Sequence, residues 1–297
     1  MSTISVIIPC YRDSKTLALA LNSVYAQTRL PDEVIVVNDC SPETEQIENV
    51  LLKYPDVVYL VNESNAGPSI SRNIGIENSE CEIVSFLDAD DELHPQKIEF
   101  QLAVLSSKVV VSCANRRIRL GGRPHRSLNY SGPGRIRKFT ETSQIIFRHR
   151  LTGASIMAYK ADLKTVGGYD SSLRSGEDYD LWLRLLDSGF TVFHLPQSLY
   201  LYRENINGLS RDISSVSYWE MEMIRNALKR RNLSPPFEGK AAVIWSLWTL
   251  KHIVRNCAAR SEDLDAQIDR DLSALPTSSL VRGMLMGLRS LLNVKIS

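Results

Sequence analysis

The sequence predicts an α/β protein in which a doubly wound, mostly parallel sheet is covered by helices and followed by a C-terminal helical region. Three observations lead there. In the first third of the chain, short apolar runs alternate with amphipathic segments of helical period, the arrangement that produces parallel sheets covered on both faces. The 43% hydrophobic and 23% charged composition is that of an ordinary globular chain, which excludes wholesale disorder and coiled coil. From about Ser214 onward the pattern turns to long helical stretches. At 297 residues the chain has room for one large α/β domain with an appendage, or for two unequal domains.

ISVIIP, from Ile4 to Pro9, reads as the first strand, and a helix follows from about Ser14 to Gln27 with Leu17, Leu21 and Val24 on one face. EVIVVN, Glu33 to Asn38, is the second strand. Its helix is expected to start at Ser41-Pro42, with Ser41 as N-cap, Pro42 in the first turn and Glu43 and Glu45 matching the positive dipole end. VVYLVN, Val57 to Asn62, is the third strand. The loop NESNAGP leads to a helix from Ser69 to about Asn78, and EIVSFL, Glu82 to Leu87, is a fourth strand running straight into Asp88. Another helix is expected from Pro95, and GEDYDLWLRLLDSG holds an amphipathic helix opened by Glu177 and Asp178.

Charge divides the chain further. Residues 1–107 carry six Lys/Arg against seventeen acids, whereas 108–150 carry eleven Lys/Arg and the single acid Glu141. With a net charge of +1, any attraction to polyanions must be local. The coarse units are 1–107 and 108–211, two halves of one α/β domain, and 212–297, helical. The five cysteines form no C-x-x-C pair and the five histidines no ligand spacing, which removes zinc-site, disulfide-framework and zinc-enzyme readings. No G-x-S-x-G, P-loop or G-x-G-x-x-G is present. The opening MSTISVIIPCYRD lacks a basic lead and cleavage site, and no run approaches a membrane span, so a cytoplasmic protein is expected.

Ligands of open α/β sheets sit outside the carboxyl ends of the strands, so those ends are where chemistry is expected. They carry Pro9 and Tyr11, then Asp39, then the loop with Asn65 and Gly67, and finally Asp88, Asp90 and Asp91. Three carboxylates directly after a buried strand repel unless neutralised, and such oxygens suit Mg²⁺ or Mn²⁺ with phosphate completing the shell. A polar strand-to-helix connection is the plain alternative. Arg72 in the first turn after NAGP offers a forked donor for a diphosphate, or is a surface arginine on an ordinary helix. Asp39 either meets a ligand or caps the next turn with Ser41. Glu177 and Asp178 complement a helix dipole, or supply a general base.

In order along the chain, SVIIPCYRD, VVNDCSP, NAGPSISRNIGI, FLDADDELHP, GASIMAYKAD, GGYDSSLRSGEDYDLWLRL and LYLYRENINGLSR resemble glycosyltransferase family 2 on the GT-A fold, over roughly residues 3–211. The resemblance implies metal-dependent, inverting transfer of a sugar from a nucleotide diphosphate donor, UDP-linked by expectation, to an acceptor hydroxyl. It implies that residues 1–107 bind the nucleotide sugar and that 108–211 form the metal and acceptor side. Pro9 and Tyr11 would line the base pocket and Asp39 would meet the uracil-type ring. Asn65, Gly67 and Arg72 would serve the ribose and diphosphate. Asp88 would touch the ribose or the metal, and Asp90 would hold Mn²⁺ or Mg²⁺. Asp178 would be the base with Glu177 beside it, and Arg203 and Ser210 would belong to a loop closing over the diphosphate. Two departures stand out. Asn38-Asp39 replaces a pair of acids, and Asn205 stands where many relatives place a metal-binding histidine. The latter motivates the alternative of a non-catalytic nucleotide-sugar-binding protein of the same fold. A nucleotidyltransferase is disfavoured because CYRDSKT lacks glycine.

The expected acceptor is a glycan or a lipid-linked glycan of a surface polysaccharide or glycolipid. The basic stretch RRIRLGGRPHR, read as a hairpin turning at Gly121-Gly122, is either a solvated surface or a flap for an anionic acceptor. Nucleic acid is not expected, since only Tyr130 and Phe139 lie nearby as stacking aromatics. The last segment, with Arg282, Arg289 and Lys295 among leucines and methionines, is expected to pack on protein. The alternative is a peripheral contact with the inner face of the cell membrane.

Overall fold

The computed structural model describes residues 2–118, 134–146, 151, 153–203, 213–233, 235, 237–259, 262–275 and 282–286. The Gly121-Gly122 hairpin, Tyr130, Asn205, Ser210, Arg289 and Lys295 lie outside the described residues. The chain divides into two units, one of residues 1–145 and 150–205, the other of 146–149 and 206–297.

In the first unit, β1 (Ile4–Cys10) is buried along its length except at Pro9. A strand lined with β-branched residues on both faces can only sit between two covered faces of a sheet. β2 (Glu33–Asn38) lies parallel on one side of it, and β3 (Val58–Val61) lies outside β2. β4 (Ile83–Phe86) lies parallel on the other side of β1. The order β3-β2-β1-β4 therefore reverses direction beside β1, and the crevice at that reversal opens at the carboxyl ends of β1 and β4. The connecting helices are α1 (Leu17–Tyr25), α2 (Thr44–Leu51) and α3 (Pro68–Asn78).

The second half of the sheet mixes directions. β5 (Glu92–Leu93), β6 (Val109–Ile118), β7 (Arg137–Phe139), β8 (Met157–Tyr159) and β9 (Thr191–Arg203) extend it to nine strands among the described residues, in the order β3-β2-β1-β4-β8-β6-β9-β5 with β7 on β9. β8 runs antiparallel between β4 and β6, while β6 and β9 are parallel with bulges around Ala114. α4 (Lys97–Leu102), α5 (Lys160–Thr165) and α6 (Glu177–Asp187) complete the unit. A continuous apolar core joins β1, α1 and β4 to Met157, Leu195 and Tyr200.

Two local readings are corrected. α2 begins at Thr44, because Ser41 Oγ accepts from Arg12 N at 3.0 Å and Glu43 N at 3.1 Å and so ties down the turn that precedes the helix. α4 begins at Lys97, because residues 92–93 are taken up by pairing with β9.

The second unit packs α7 (Ile213–Lys229), α8 (Gly239–Ala259) and α9 (Glu262–Ser273) around Trp245, Phe237, Met221 and Ile268, all buried. Trp245 donates its indole N–H to Asp271 O at 2.7 Å, and Lys251 lies 4.1 Å from the Trp248 ring centroid. No helix among the described residues is long and apolar enough to cross a membrane.

Candidate active site

Parallel pairing brings the ends of β1, β2 and β4 to one edge of the first unit, and the candidate residues follow from that. After β1, Pro9 is half-buried and Tyr11 is 37% exposed, with Arg12 stacked over its ring at 5.2 Å. Asp13 then turns into the crevice. Burial, with the nearby Asp90 charge, pushes its carboxyl up to about 7. A fourth acid therefore faces the β4 carboxylates.

Asp39 has its own internal partners. Its Oδ1 accepts from Asn62 Nδ2 at 2.7 Å and Ala66 N at 2.9 Å, and its Oδ2 accepts from Gly67 N at 2.8 Å. Asn65 Nδ2 donates to the Asp39 carbonyl at 3.3 Å. The carboxylate shapes the loop that enters α3, a cap from 27 or so residues away rather than of the turn at Ser41. Gly67 closes that loop at φ +88°, a left-handed conformation that disfavours side chains, and Pro68 follows at the first helical position.

α3 presents Ser69, Arg72 and Asn73 on one face. Ser69 Oγ donates to Leu173 O at 3.0 Å, and Asn73 clamps the Tyr169 peptide from both sides at 2.8 Å. Arg72, 5% exposed, lies between three groups. Its Nη2 donates to Asp88 Oδ1 at 2.8 Å, its Nη1 to Glu177 Oε1 at 2.7 Å, and its guanidinium stacks 5.3 Å from the Tyr169 ring centroid. Burial works against the charge, but Asp88 and Glu177 reverse it and hold Arg72 well above the usual arginine range. Arg72, expected to meet a diphosphate, joins β4 to α6 in this structure.

The acidic loop after β4 separates its members. Asp88 and Asp90 are half-buried, while Asp91 is 1% exposed. Asp91 Oδ1 accepts from Arg203 N at 2.6 Å, its Oδ2 is buried without a hydrogen-bond partner among the described residues, and burial with the Asp88 and Asp90 charges pushes its carboxyl up to about 9. Tyr200 Oη accepts from Asp88 N at 3.1 Å. Arg203 donates through Nε to Asp90 O at 3.0 Å and pairs with Glu92, so it fixes the acidic loop itself. Among the described residues no three His, Cys, Asp or Glu side chains converge into a ready metal cage.

Glu177 and Asp178 open α6 after Gly176 in a left-handed turn. Burial pushes the Glu177 carboxyl up while Arg72 pulls it down. Asp178 is half-buried, and its Oδ1 accepts from Tyr179 N at 2.7 Å. Arg72 thus links Glu177 to Asp88, and the residues the motifs left unassigned are Asp13, Tyr169, Tyr200 and Asn73. All four stood inside the conspicuous motifs, in CYRD, GGYD, LYLYR and SRNIG. Their partners lie too far along the chain for spacing to reveal.

The model of glycosyl transferase family 2 matches residues 5–160. An uncharacterised glycosyltransferase of Rickettsia felis is 29% identical over 187 residues, covering 62% of this chain and 31% of the relative. The putative teichuronic acid biosynthesis glycosyltransferase TuaG of Bacillus subtilis is 28% identical over 219 residues, 70% of this chain and 81% of the relative. The chain spans about a third of the length of the first of these, and more of the second. The crystal structure of S. aureus TarS 1-349 in complex with UDP-GlcNAc superposes with a TM-score of 0.66 at 19% identity, covering 99% of this chain and 89% of that one. That likeness establishes the fold, a GT-A sheet.

Proposed function

Because the chain belongs to glycosyltransferase family 2, we propose that it moves a sugar from a UDP-linked donor to an acceptor hydroxyl with inversion, in surface polysaccharide or glycolipid synthesis on the cytoplasmic side. The carrying observation is the Arg72 bridge, which joins Asp88 at the end of β4 to Glu177 at the start of α6 through bonds of 2.8 and 2.7 Å. A donor-side carboxylate and the helix bearing the candidate base are thereby parts of one site.

The two α6 acids take different roles. Glu177, paired to a buried guanidinium, holds the helix in place. Asp178, the half-exposed neighbour, is the group that takes the proton from the incoming hydroxyl. A single base suffices for direct displacement, whereas retention would require a nucleophile, by analogy with glycosidases. Asp13, Asp88 and Asp90 give the crevice an excess of negative charge, which adds to burial in raising the Asp13 carboxyl. Hard carboxylate oxygens of this kind fit Mn²⁺ or Mg²⁺, and Asp90 and Asp88 would be the protein ligands. When bound, such an ion supplies Lewis-acid stabilisation of the departing diphosphate. Pro9 and Tyr11 border the nucleoside side, and the loop of Asn65 and Gly67, set by Asp39, borders the diphosphate. Similar proteins support the donor and pathway: TuaG is a putative teichuronic acid biosynthesis glycosyltransferase, and TarS is solved with UDP-GlcNAc.

The test is UDP release from a panel of UDP-sugars with Mn²⁺ and a glycan acceptor, and NMR of the product for anomeric inversion. Asp178→Asn is expected to lower turnover by about 10²–10⁴-fold with donor affinity retained. Wild-type turnover in that variant would remove Asp178 from the mechanism.

A further inference from the structure

Gly153 lies in the short 3₁₀ turn Gly153–Ser155, which precedes β8 and faces α6. A Cβ built on it would fall 1.9 Å from Asp178 Oδ2, 2.5 Å from Cγ and 2.6 Å from Cβ. Separations this short mean that any side chain at 153 and the present Asp178 side chain exclude each other. One of them has to move.

The turn is held far more firmly than an ordinary loop. Gln101 Nε2 donates to Ser155 O at 2.7 Å. Ser155 Oγ accepts from Cys113 N at 3.3 Å and shares a hydrogen bond of 3.1 Å with Ser112 Oγ, which in turn meets His194 Nδ1 at 3.1 Å. Ser112, Ser155 and Gln101 are fully buried and His194 is 3% exposed, so this network has no water to fall back on. Burial, with the Arg137 charge second, pulls the His194 imidazole down to about 4, so it stays neutral in the network at neutral pH. The turn is therefore anchored to α4, β6 and β9. On the other side, α6 cannot easily retreat, because Glu177 is tied to Arg72 and Tyr179 donates its hydroxyl to Ile145 O. Rotation can carry the carboxylate away but not the Asp178 Cβ at 2.6 Å, so a side chain at 153 displaces Asp178 together with its stretch of backbone.

We propose that Gly153 is a positioning residue for Asp178: its bare Cα forms the wall against which the carboxylate rests, and this wall sets the orientation of the base toward the acceptor hydroxyl. The inference rests on Asp178 being the base. Tolerances in such a site are tight, and a displacement of about 1 Å costs on the order of 100-fold in rate.

The experiment compares wild type, Gly153→Ala, Asp178→Asn and the double variant Gly153→Ala/Asp178→Asn. The readouts are UDP release from the most active UDP-sugar of the panel above, and donor affinity by calorimetry. Gly153→Ala is expected to lower kcat by about 100-fold with donor Kd within about twofold, and the double variant to be no slower than Asp178→Asn. A purely structural role would multiply the two losses instead. Independent losses, or near-wild-type kcat in Gly153→Ala while Asp178→Asn is inactive, overturn the role of Gly153 and leave the base intact. A wild type that turns over no donor overturns the function reading, whereas an active Asp178→Asn removes only Asp178 from the mechanism; either outcome takes this proposal with it. A donor-independent arm covers a folding defect. Melting of Gly153→Ala is compared with that of Gly153→Ala in an Asp178→Gly background, where the clashing atoms are gone. The alanine is expected to lower the melting temperature only when Asp178 is present, and an equal penalty in both backgrounds overturns the contact.

Discussion

Arg72 is the side chain on which the site's charge balance turns. It is buried between Glu177 and Asp88, and its Nε has no hydrogen-bond partner among the described residues, so the guanidinium is held by its two outer nitrogens. Removing one member of a buried ion pair leaves the other as an uncompensated charge, at a cost of about 3–5 kcal/mol. Arg72→Ala is expected to lose that much against Glu177, read as a fall in the urea midpoint. Arg72→Lys recovers only part, because an ammonium cannot hold two carboxylates in a planar fork. Equal midpoints for Arg72→Ala and wild type would show the bridge to be energetically idle. Asp39 follows the same logic on a smaller scale. Asp39→Ala leaves the Ala66 and Gly67 amides unsatisfied, at about 1–3 kcal/mol each if water does not reach them, and is expected to weaken UDP binding by disordering the loop, measured by calorimetry. The sequence places Asp39 at the end of β2 and Arg72 in the first turn of the helix after NAGP, each with a ligand role beside a structural alternative. A motif shows which residue stands at a rim, whereas the Arg72–Glu177 pair spans 105 positions and has no local signal.

Among the elements, the strands of the parallel half were legible because each is a continuous apolar run between turn signals, and β1 to β4 fall within a residue or two of their predicted spans. β5 and β9 were not. Glu92–Leu93 is too short to carry a period, and β9 breaks its own alternation at Pro196 and Gln197, the extra residues between the partners of Cys113 and Ala114. The contact between α4 and β4 holds a group no pattern announces. Lys97 is fully buried, and its ammonium donates to Ser85 Oγ at 2.7 Å, with no ion pair to a carboxylate among the described residues. Burial pulls it down from 10.5 to about 8. The unfolded chain keeps its proton up to the higher value, so between about pH 8 and 10.5 the unfolded state binds more protons, and this residue makes folding more favourable as pH rises. Lys97→Met, close in volume and apolar, is expected to raise stability at pH 7 by roughly 3 kcal/mol, the equivalent of that shift. The gain over wild type should shrink as pH passes 8. Urea unfolding of both proteins at pH 7, 9 and 10 checks this, and a pH-independent difference would place the charge elsewhere.

At the scale of the whole molecule, the acidic first third and basic middle were visible as charge counts, and the acidic excess reappears in the structure as one crevice. Asp13, Asp88, Asp90 and Asp91 come from two strands that are adjacent only because the sheet reverses beside β1. Burial raises the Asp13 and Asp91 carboxyls most, and the charges of Asp88 and Asp90 add to it. A divalent ion entering with a diphosphate would relieve that repulsion, so donor and ion should bind more tightly together than apart. Ligand that binds only the folded state at about 100 times its Kd adds about 2.7 kcal/mol to stability. For a sheet unit of this size that corresponds to a rise in melting temperature of several degrees, at about 2–4 °C per kcal/mol. Thermal unfolding with UDP is expected to show this rise with Mn²⁺ and to lose most of it in EDTA. Asp90→Ala should respond to UDP alike with and without Mn²⁺. A full UDP response in EDTA would mean that UDP binding at this crevice needs no divalent ion.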